Sequence, residues 1–211
     1  MVTNKKCIIR LSRYKNALKR LKALDFVKVF SDNLSDAAGA TPSQVRKDFS
    51  LFGISGHGRG GYNVDELIKK LRDILGKNET QNAVIVGAGH IGQALLKYKG
   101  FKAGGIEIFA GFDIDPAKYD DKSEIPIYPL DDFRDYVSKN KVKIGILTVP
   151  DYAAQQISEI MISAGIKGIL NFAPIQLRLA EGVVINNINL EIELENLIYF
   201  VNVAEKIGDK Q

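Results

Sequence analysis

The chain holds one cysteine, Cys7, and two histidines, His57 and His90, among its 211 residues. A lone cysteine excludes an intrachain disulfide framework and suits a reducing compartment. A redox role is open to it, although packing is the commoner use of a single thiol. No Cys/His/Asp cluster has metal-ligand spacing, so no metal site is expected. No apolar run approaches the roughly 20 residues that cross a bilayer. The stretch from Met1 to Cys7 has no secretory apolar core after its lysines. These absences point to a cytoplasmic protein with no membrane partner.

What is present is an ordinary globular composition, 45% apolar and 26% charged, with a net charge of +4. The charge is unevenly placed. Residues 1–80 carry 16 basic and 8 acidic side chains, whereas residues 81–211 carry 13 and 17. A basic front module attracts polyanions, nucleic acid above all. Charge alone does not separate that use from a solvated lysine-rich face.

Periodicity organises the front. Ile8, Leu11, Tyr14 or Lys15, Leu18, Leu21 and Leu24 keep helical spacing from near Lys5 onward, with Arg10, Arg13, Lys15, Lys19, Arg20 and Lys22 on the other face. A short helix follows, with Ser31 as its N-cap and Gly39 as its stop. Thr41, Pro42 and Gln44 make a capping box that opens a third helix ending near Leu51. Val45, Phe49 and Phe52 anchor its inner side. It presents Ser43, Gln44, Arg46, Lys47, Asp48 and Ser50. Short helices joined by a tight turn make a helix-turn-helix candidate. The glycine-dense segment 54–62 suits a wing, placing His57, Arg59 and Gly60 beside DNA with the third helix and Arg10. A fourth helix opens at Asn63, and residues 77–82 read as a linker.

From residue 83 strands and helices alternate. The expected strands are 83–86, 106–112, 125–127, 144–150, 168–172 and 183–186, which together imply a doubly wound parallel sheet. The first runs into Gly87-Ala88-Gly89-His90-Ile91-Gly92, the G-x-G-x-x-G pattern, and then into a helix over 93–99. Gly87 allows the tight turn, Gly89 lets a pyrophosphate approach, and Gly92 lets the helix pack closely. The second strand ends in Asp113, where an acid accepts ribose hydroxyls and repels a 2′-phosphate. The expected ligand is a dinucleotide, NADH or NAD⁺ rather than the phosphorylated form. A last amphipathic helix, 189–207, carries Leu190, Leu194, Leu197, Val201 and Ala204 at helical spacing. That spacing fits packing on its own domain or on a second subunit. The expected divisions are 1–80, 81–188 and 189–211.

Several blocks are similar to one family. Residues 42–53, from Pro42 to Gly53, resemble the recognition-helix signature of the Rex redox-sensing repressors. So do the wing residues 59–64, the glycine loop, the Phe112–Pro116 segment and the run from Gly168 to Pro174. The resemblance covers essentially the whole chain in order. It implies a homodimer whose winged-helix domains bind a palindromic operator and whose Rossmann domains bind NADH or NAD⁺. It further implies that the C-terminal helix is exchanged between subunits and that NADH releases the DNA. Beside the glycine loop and Asp113, it places Ile114, Asp115, Thr148, Val149, Pro150, Asn171, Phe172, Ala173 and Pro174 in the nucleotide site. Tyr98 matches a tyrosine near the nicotinamide, and Leu190 is a further candidate there. Asn16 and Asn189 stand where the family pattern has an arginine and an aspartate, so a charged pair is lost together.

The sheet by itself would also suit an NAD-dependent oxidoreductase or a CoA-binding protein. An oxidoreductase needs a proton donor or a metal at the nicotinamide. His57 lies in the wing and His90 in the phosphate loop, and neither is placed for acid–base work. Tyr98 and Lys102 follow the first Rossmann helix. No catalytic residue is assigned, and the reading is a sensor rather than an enzyme. Asp113 and the DNA-reading front argue against CoA.

Overall fold

The computed structural model describes residues 4–56, 60–76, 80–178 and 181–208. It divides into two compact units, Met1–Glu79 and Thr80–Gln211.

The first unit begins with α1 (Lys5–Ala23), capped by the Asn4 side chain, which accepts from the Lys6 N–H. Cys7, Leu11, Tyr14 and Leu18 turn inward, and Lys15 is buried with them rather than solvated. Leu24 is the C-cap and is exposed, so the helix ends one residue short of the last position in the expected apolar stripe. A two-residue antiparallel ribbon, absent from the sequence reading, joins β1 (Lys28–Val29) to β2 (Tyr62–Asn63).

Helix α2 (Ser31–Ala38) is capped differently from expectation. Phe30 holds the N-cap position, and its N–H donates to Asn33 Oδ1 at 2.8 Å. The Ser31 hydroxyl instead accepts from Arg46 Nη1. Gly39 closes the helix in the left-handed conformation that glycine tolerates best. Helix α3 (Pro42–Leu51) opens as expected on Thr41, whose Oγ1 accepts from the Gln44 N–H. The capping box is only half made: the Gln44 side chain donates to Asp48 instead of accepting from the Thr41 N–H. Asn63 caps α4 (Val64–Ile74) by accepting from the Glu66 N–H. The acids Asp65 and Glu66 in its first turn suit the positive end of the helix. The core of this unit gathers Leu11, Tyr14, Leu18, Leu34, Val45, Phe49, Leu67 and Leu71. Phe49 sits edge-on to both Tyr14 and Tyr62.

The second unit is built on six parallel strands in the order β5-β4-β3-β6-β7-β8. They are β3 (Gln81–Val86), β4 (Ile106–Asp113), β5 (Ile127–Pro129), β6 (Ile144–Leu147), β7 (Gly168–Asn171) and β8 (Val184–Asn187). The helices are α5 (His90–Leu96), α6 (Gly100–Ala103), α7 (Phe133–Asn140), α8 (Asp151–Ser163) and α9 (Leu190–Gly208). Alternation along β3 sends Val84 and Val86 to one face and Ala83 and Ile85 to the other. The first face packs with Phe133 and Val137 of α7 and Ala154 and Met161 of α8. The second packs with Leu95, Leu96 and Phe101, from α5 and α6. Both faces are covered, which is why residues 83–86 of β3 read as an uninterrupted apolar run.

Several boundaries moved. The edge strand starts at Ile127, not residue 125, and Leu130–Asp132 forms a 3₁₀ turn before α7. Strand β6 stops at Leu147, leaving Thr148, Val149 and Pro150 as loop. Helix α5 starts inside the glycine motif, at His90, and ends at Leu96. Helix α9 begins at Leu190, just after Asn189, whose side chain accepts from the N–H groups of Glu191 and Ile192. Its Leu190, Leu194, Leu197 and Phe200 are 58–66% exposed. Among the described residues no helix is long and apolar enough to cross a membrane.

Candidate functional site: a nucleotide cleft and a nucleic-acid interface

Successive strands run outward from β3 in one direction through β4 and β5, and in the other from β6 through β7 and β8. The carboxyl ends of β3 and β6 therefore flank a topological switch point, where open α/β sheets hold ligands. A cleft of about 500 Å³ lies there, lined by Gly87, Gly89, His90, Ile91, Asp113, Ile114, Asp115, Thr148, Val149, Pro150, Phe172 and Pro174.

The three motif glycines do different things. Gly87 has φ +99°, and a Cβ on it would sit 2.6 Å from the Thr148 carbonyl oxygen. A Cβ on Gly92 would strike the Gly87 carbonyl oxygen, so this position sets how closely α5 approaches the turn. A Cβ on Gly89 meets no protein atom within 4 Å. The space it would enter is the cleft itself. Thr148 closes the turn from β6, with Oγ1 2.7 Å from the Gly87 oxygen.

Asp113 ends β4 and is buried beside this turn. Its Oδ2 accepts from the Ala88 N–H at 2.6 Å, and its Oδ1 from the Asp115 N–H at 2.9 Å. Burial pushes its pKa up. The backbone donors of Asp115 and Ala88, with the Lys118 ammonium, outweigh that and hold it below the ordinary aspartate range. The carboxylate is thus ionised and fixed in place on the cleft wall. A glycine that opens onto the cleft and a fixed acid at the next strand end fit the pyrophosphate and the ribose of a dinucleotide.

Besides Gly92, which packs α5 on the turn, and Leu190 on α9, four sequence-expected residues lie off the cleft wall. Ala88 is buried behind the turn and reaches Asp113 through its backbone. Asn171 is fully buried, its Nδ2 directed at the carbonyls of Ala173 and Ile175 and at Asn187 Oδ1, so it shapes the 171–175 loop. Ala173 is buried in the same loop. Tyr98 is 59% exposed and packs edge-on against Phe101. Because α5 ends at Leu96, Tyr98 leaves the helix axis and borders a separate hollow with Lys97, Lys99 and Lys102. The sequence reading also missed residues that do line the cleft: Lys118, Leu130, Tyr152, Ala153 and Ile157. Lys118 follows Asp113 by five residues on the 3₁₀ turn Pro116–Lys118, a local spacing that could have found it.

In the first unit α3 exposes Ser43, Arg46, Lys47 and Ser50, with Gln44 half-buried. Asp48 corrects the expectation: it is 0% exposed and cannot face DNA. It follows Val45 by three residues and precedes Phe49, on the same inward stripe. Arg10 Nε and Nη2 donate to its two oxygens, Gln44 Nε2 and Tyr14 Oη add bonds, and Cys7 Sγ lies 3.4 Å away. Burial pushes the Asp48 pKa up, but these donors, Arg10 first, hold it below the ordinary range. The same burial and contact with Asp48 push the Tyr14 hydroxyl well up. Arg10 is therefore held against Asp48 instead of lying free on the surface. Gly60 is half-buried next to β2, and His57 and Arg59 lie outside the described residues. Asn16 is exposed on α1. Among the described residues no group of three or more His, Cys, Asp or Glu could hold a metal.

Comparisons with known proteins cover both units. A family described as Putative DNA-binding protein N-terminus matches residues 5–50, and one described as CoA binding domain matches residues 78–175. The chain is 40% identical over 200 residues to the redox-sensing transcriptional repressor Rex of Desulforamulus reducens, covering 94% of this chain and 95% of that one. It is 40% identical over 193 residues to the Rex repressor of Carboxydothermus hydrogenoformans, covering 91% and 93%. Among solved structures it resembles RSP in complex with β-NADH, with a TM-score of 0.87, 35% identity and full coverage of both chains. It also resembles RSP in complex with β-NAD⁺ and operator DNA, with a TM-score of 0.90, 35% identity and coverage of 99% and 97%.

Proposed function

This chain belongs to the Rex family of redox-sensing transcriptional repressors, and from that membership we propose that it holds a palindromic operator when NADH is scarce and releases it when NADH binds. The observation that carries this reading is the pairing, in one chain, of an NAD-type cleft with a basic helix-turn-helix unit. The relatives are named as repressors, and the chain is a regulator rather than an enzyme.

Residues 1–80 read DNA in this proposal. Helix α3 enters the major groove and presents Ser43, Arg46, Lys47 and Ser50, with Gln44 beside them. The wing, with His57, Arg59 and Gly60, reaches the adjacent minor groove. Residues 81–188 hold the nucleotide, with Gly89 beneath the pyrophosphate and Asp113 at the ribose. NADH and NAD⁺ differ in charge and planarity at the nicotinamide, so the groups that tell them apart lie there. Phe172 and Pro174, on the cleft wall held in shape by Asn171, are placed for it. Residues 189–211 pair the chain with a second copy through α9. Its apolar residues have little cover within one chain, and an exchanged helix would bury them. Work of this kind belongs in the cytoplasm, where NADH and the chromosome meet.

The CoA-binding match names the same strand-turn-helix cradle. Coenzyme A carries a phosphate on its ribose, which a fixed Asp113 carboxylate disfavours.

A titration of NADH with and without saturating operator DNA tests the reading, using a palindromic probe selected from random duplexes. Linkage requires the operator to weaken NADH binding by the factor that NADH weakens operator binding. Coincident NADH curves would refute it.

A further inference from the structure

Asp113 does not face the cleft alone. The Lys118 ammonium lies 3.2 Å from Asp113 Oδ2 and 3.9 Å from Asp115 Oδ2. The 3₁₀ turn that carries it is capped by Asp115, whose Oδ1 accepts from the Ala117 N–H. Lys118 is one-third exposed and lines the cleft beside both acids. Two carboxylates and one ammonium therefore share the wall where a ribose would be recognised. An ammonium has three donors and a flexible stem. It can turn from Asp113 toward an anion that enters the cleft.

We propose that Lys118 determines how strongly this cleft discriminates against a 2′-phosphorylated dinucleotide. The inference rests on the nucleotide reading above. Without a neighbouring cation, a fixed carboxylate repels a 2′-phosphate at full strength. With Lys118 in place, part of that repulsion is cancelled and the phosphate gains a charged donor. One acidic charge remains in excess, so the unphosphorylated form keeps the advantage. Lys118 is a specificity residue of a graded kind: it softens a rejection that Asp113 creates.

NADH and NADPH both fluoresce, so each can be titrated directly into the full-length wild-type protein and into Lys118→Met and Lys118→Arg. The wild type is expected to prefer NADH yet bind NADPH measurably. Lys118→Met should weaken NADPH by about tenfold or more beyond whatever it costs NADH, so the readout is the ratio of the two affinities. Lys118→Arg should keep the wild-type ratio, because it restores the charge. A structural role alone would weaken both nucleotides together. Parallel losses in Lys118→Met, an unchanged ratio, or a wild type that binds NADH but no NADPH would each overturn the inference. A wild type that binds neither nucleotide would sink the nucleotide assignment and the inference with it.

Discussion

Arg10 grips Asp48 with two prongs, Nε to Oδ2 at 2.6 Å and Nη2 to Oδ1 at 2.7 Å, tying α1 to the helix proposed to read DNA. The acid is buried and the arginine is 24% exposed on its side chain. Removing one partner of such a pair leaves the other charge unsatisfied, which costs about 3 kcal/mol or more. The pair orients α3 relative to α1.

Arg10 and Lys47 should consequently differ in how salt affects their variants. Arg10→Met is expected to weaken operator binding with the slope of log K against log salt unchanged, since no phosphate contact is lost. Lys47→Ala should flatten that slope by about 0.9, the value for one phosphate contact. Binding measured across a salt series gives both slopes. A flattened slope in Arg10→Met would place its guanidinium on the DNA instead.

Asp48 should also give the protein an acid-sensitive step. Its pKa is lowered in the fold, so its contribution to stability is complete above the unfolded value of about 3.9. That contribution is lost as pH falls from there through the lower folded value. Asp48→Asn should be less stable than wild type at neutral pH, with the gap closing below about pH 4. Urea unfolding of the full chain at several pH values measures it. A gap that stays constant with pH would contradict the assignment.

Gly89 and Gly92 separate ligand room from protein room. Gly89→Val places its side chain in the cleft, so NADH affinity should disappear while operator binding and melting temperature stay near wild type. Gly92→Ala pushes against the Gly87 carbonyl and should lower the melting temperature, by an overpacking cost of about 1–3 kcal/mol. Calorimetry with NADH and thermal melts of both variants provide the comparison. Undiminished NADH affinity in Gly89→Val would remove the pyrophosphate from this loop.

Helix α9 should hold the subunits together. Leu194, Leu197 and Val201 share a helical stripe and are exposed in the single chain. Leu197→Asp would place a charge in an apolar contact, and sedimentation should then show a shift from dimer toward monomer. Operator affinity should fall with it, because a palindrome needs two correctly spaced reading heads. An unchanged dimer would move the interface elsewhere.

Local spacing by itself determined much of this protein. The apolar run into G-x-G-x-x-G dictated β3 and the turn, because only glycine tolerates the backbone at 87 and the crowding at 92. The acid at the end of the next strand, the caps at Thr41 and Asn63, and the alternation of strand and helix were legible for the same reason: each depends on neighbours a few residues away. What faces what across the chain was not. Asp48 lies on the inward stripe of α3, but its partner Arg10 is 38 residues distant, so nothing local marked the acid as a structural anchor. Tyr98 left the cleft because α5 ends two residues before it. Asn171 turned inward because Asn187, on the neighbouring strand, meets its amide. Strand order, and with it the place of the cleft, was decided only when the sheet assembled, since parallel pairing joins segments far apart in sequence whose contacts no short-range pattern encodes.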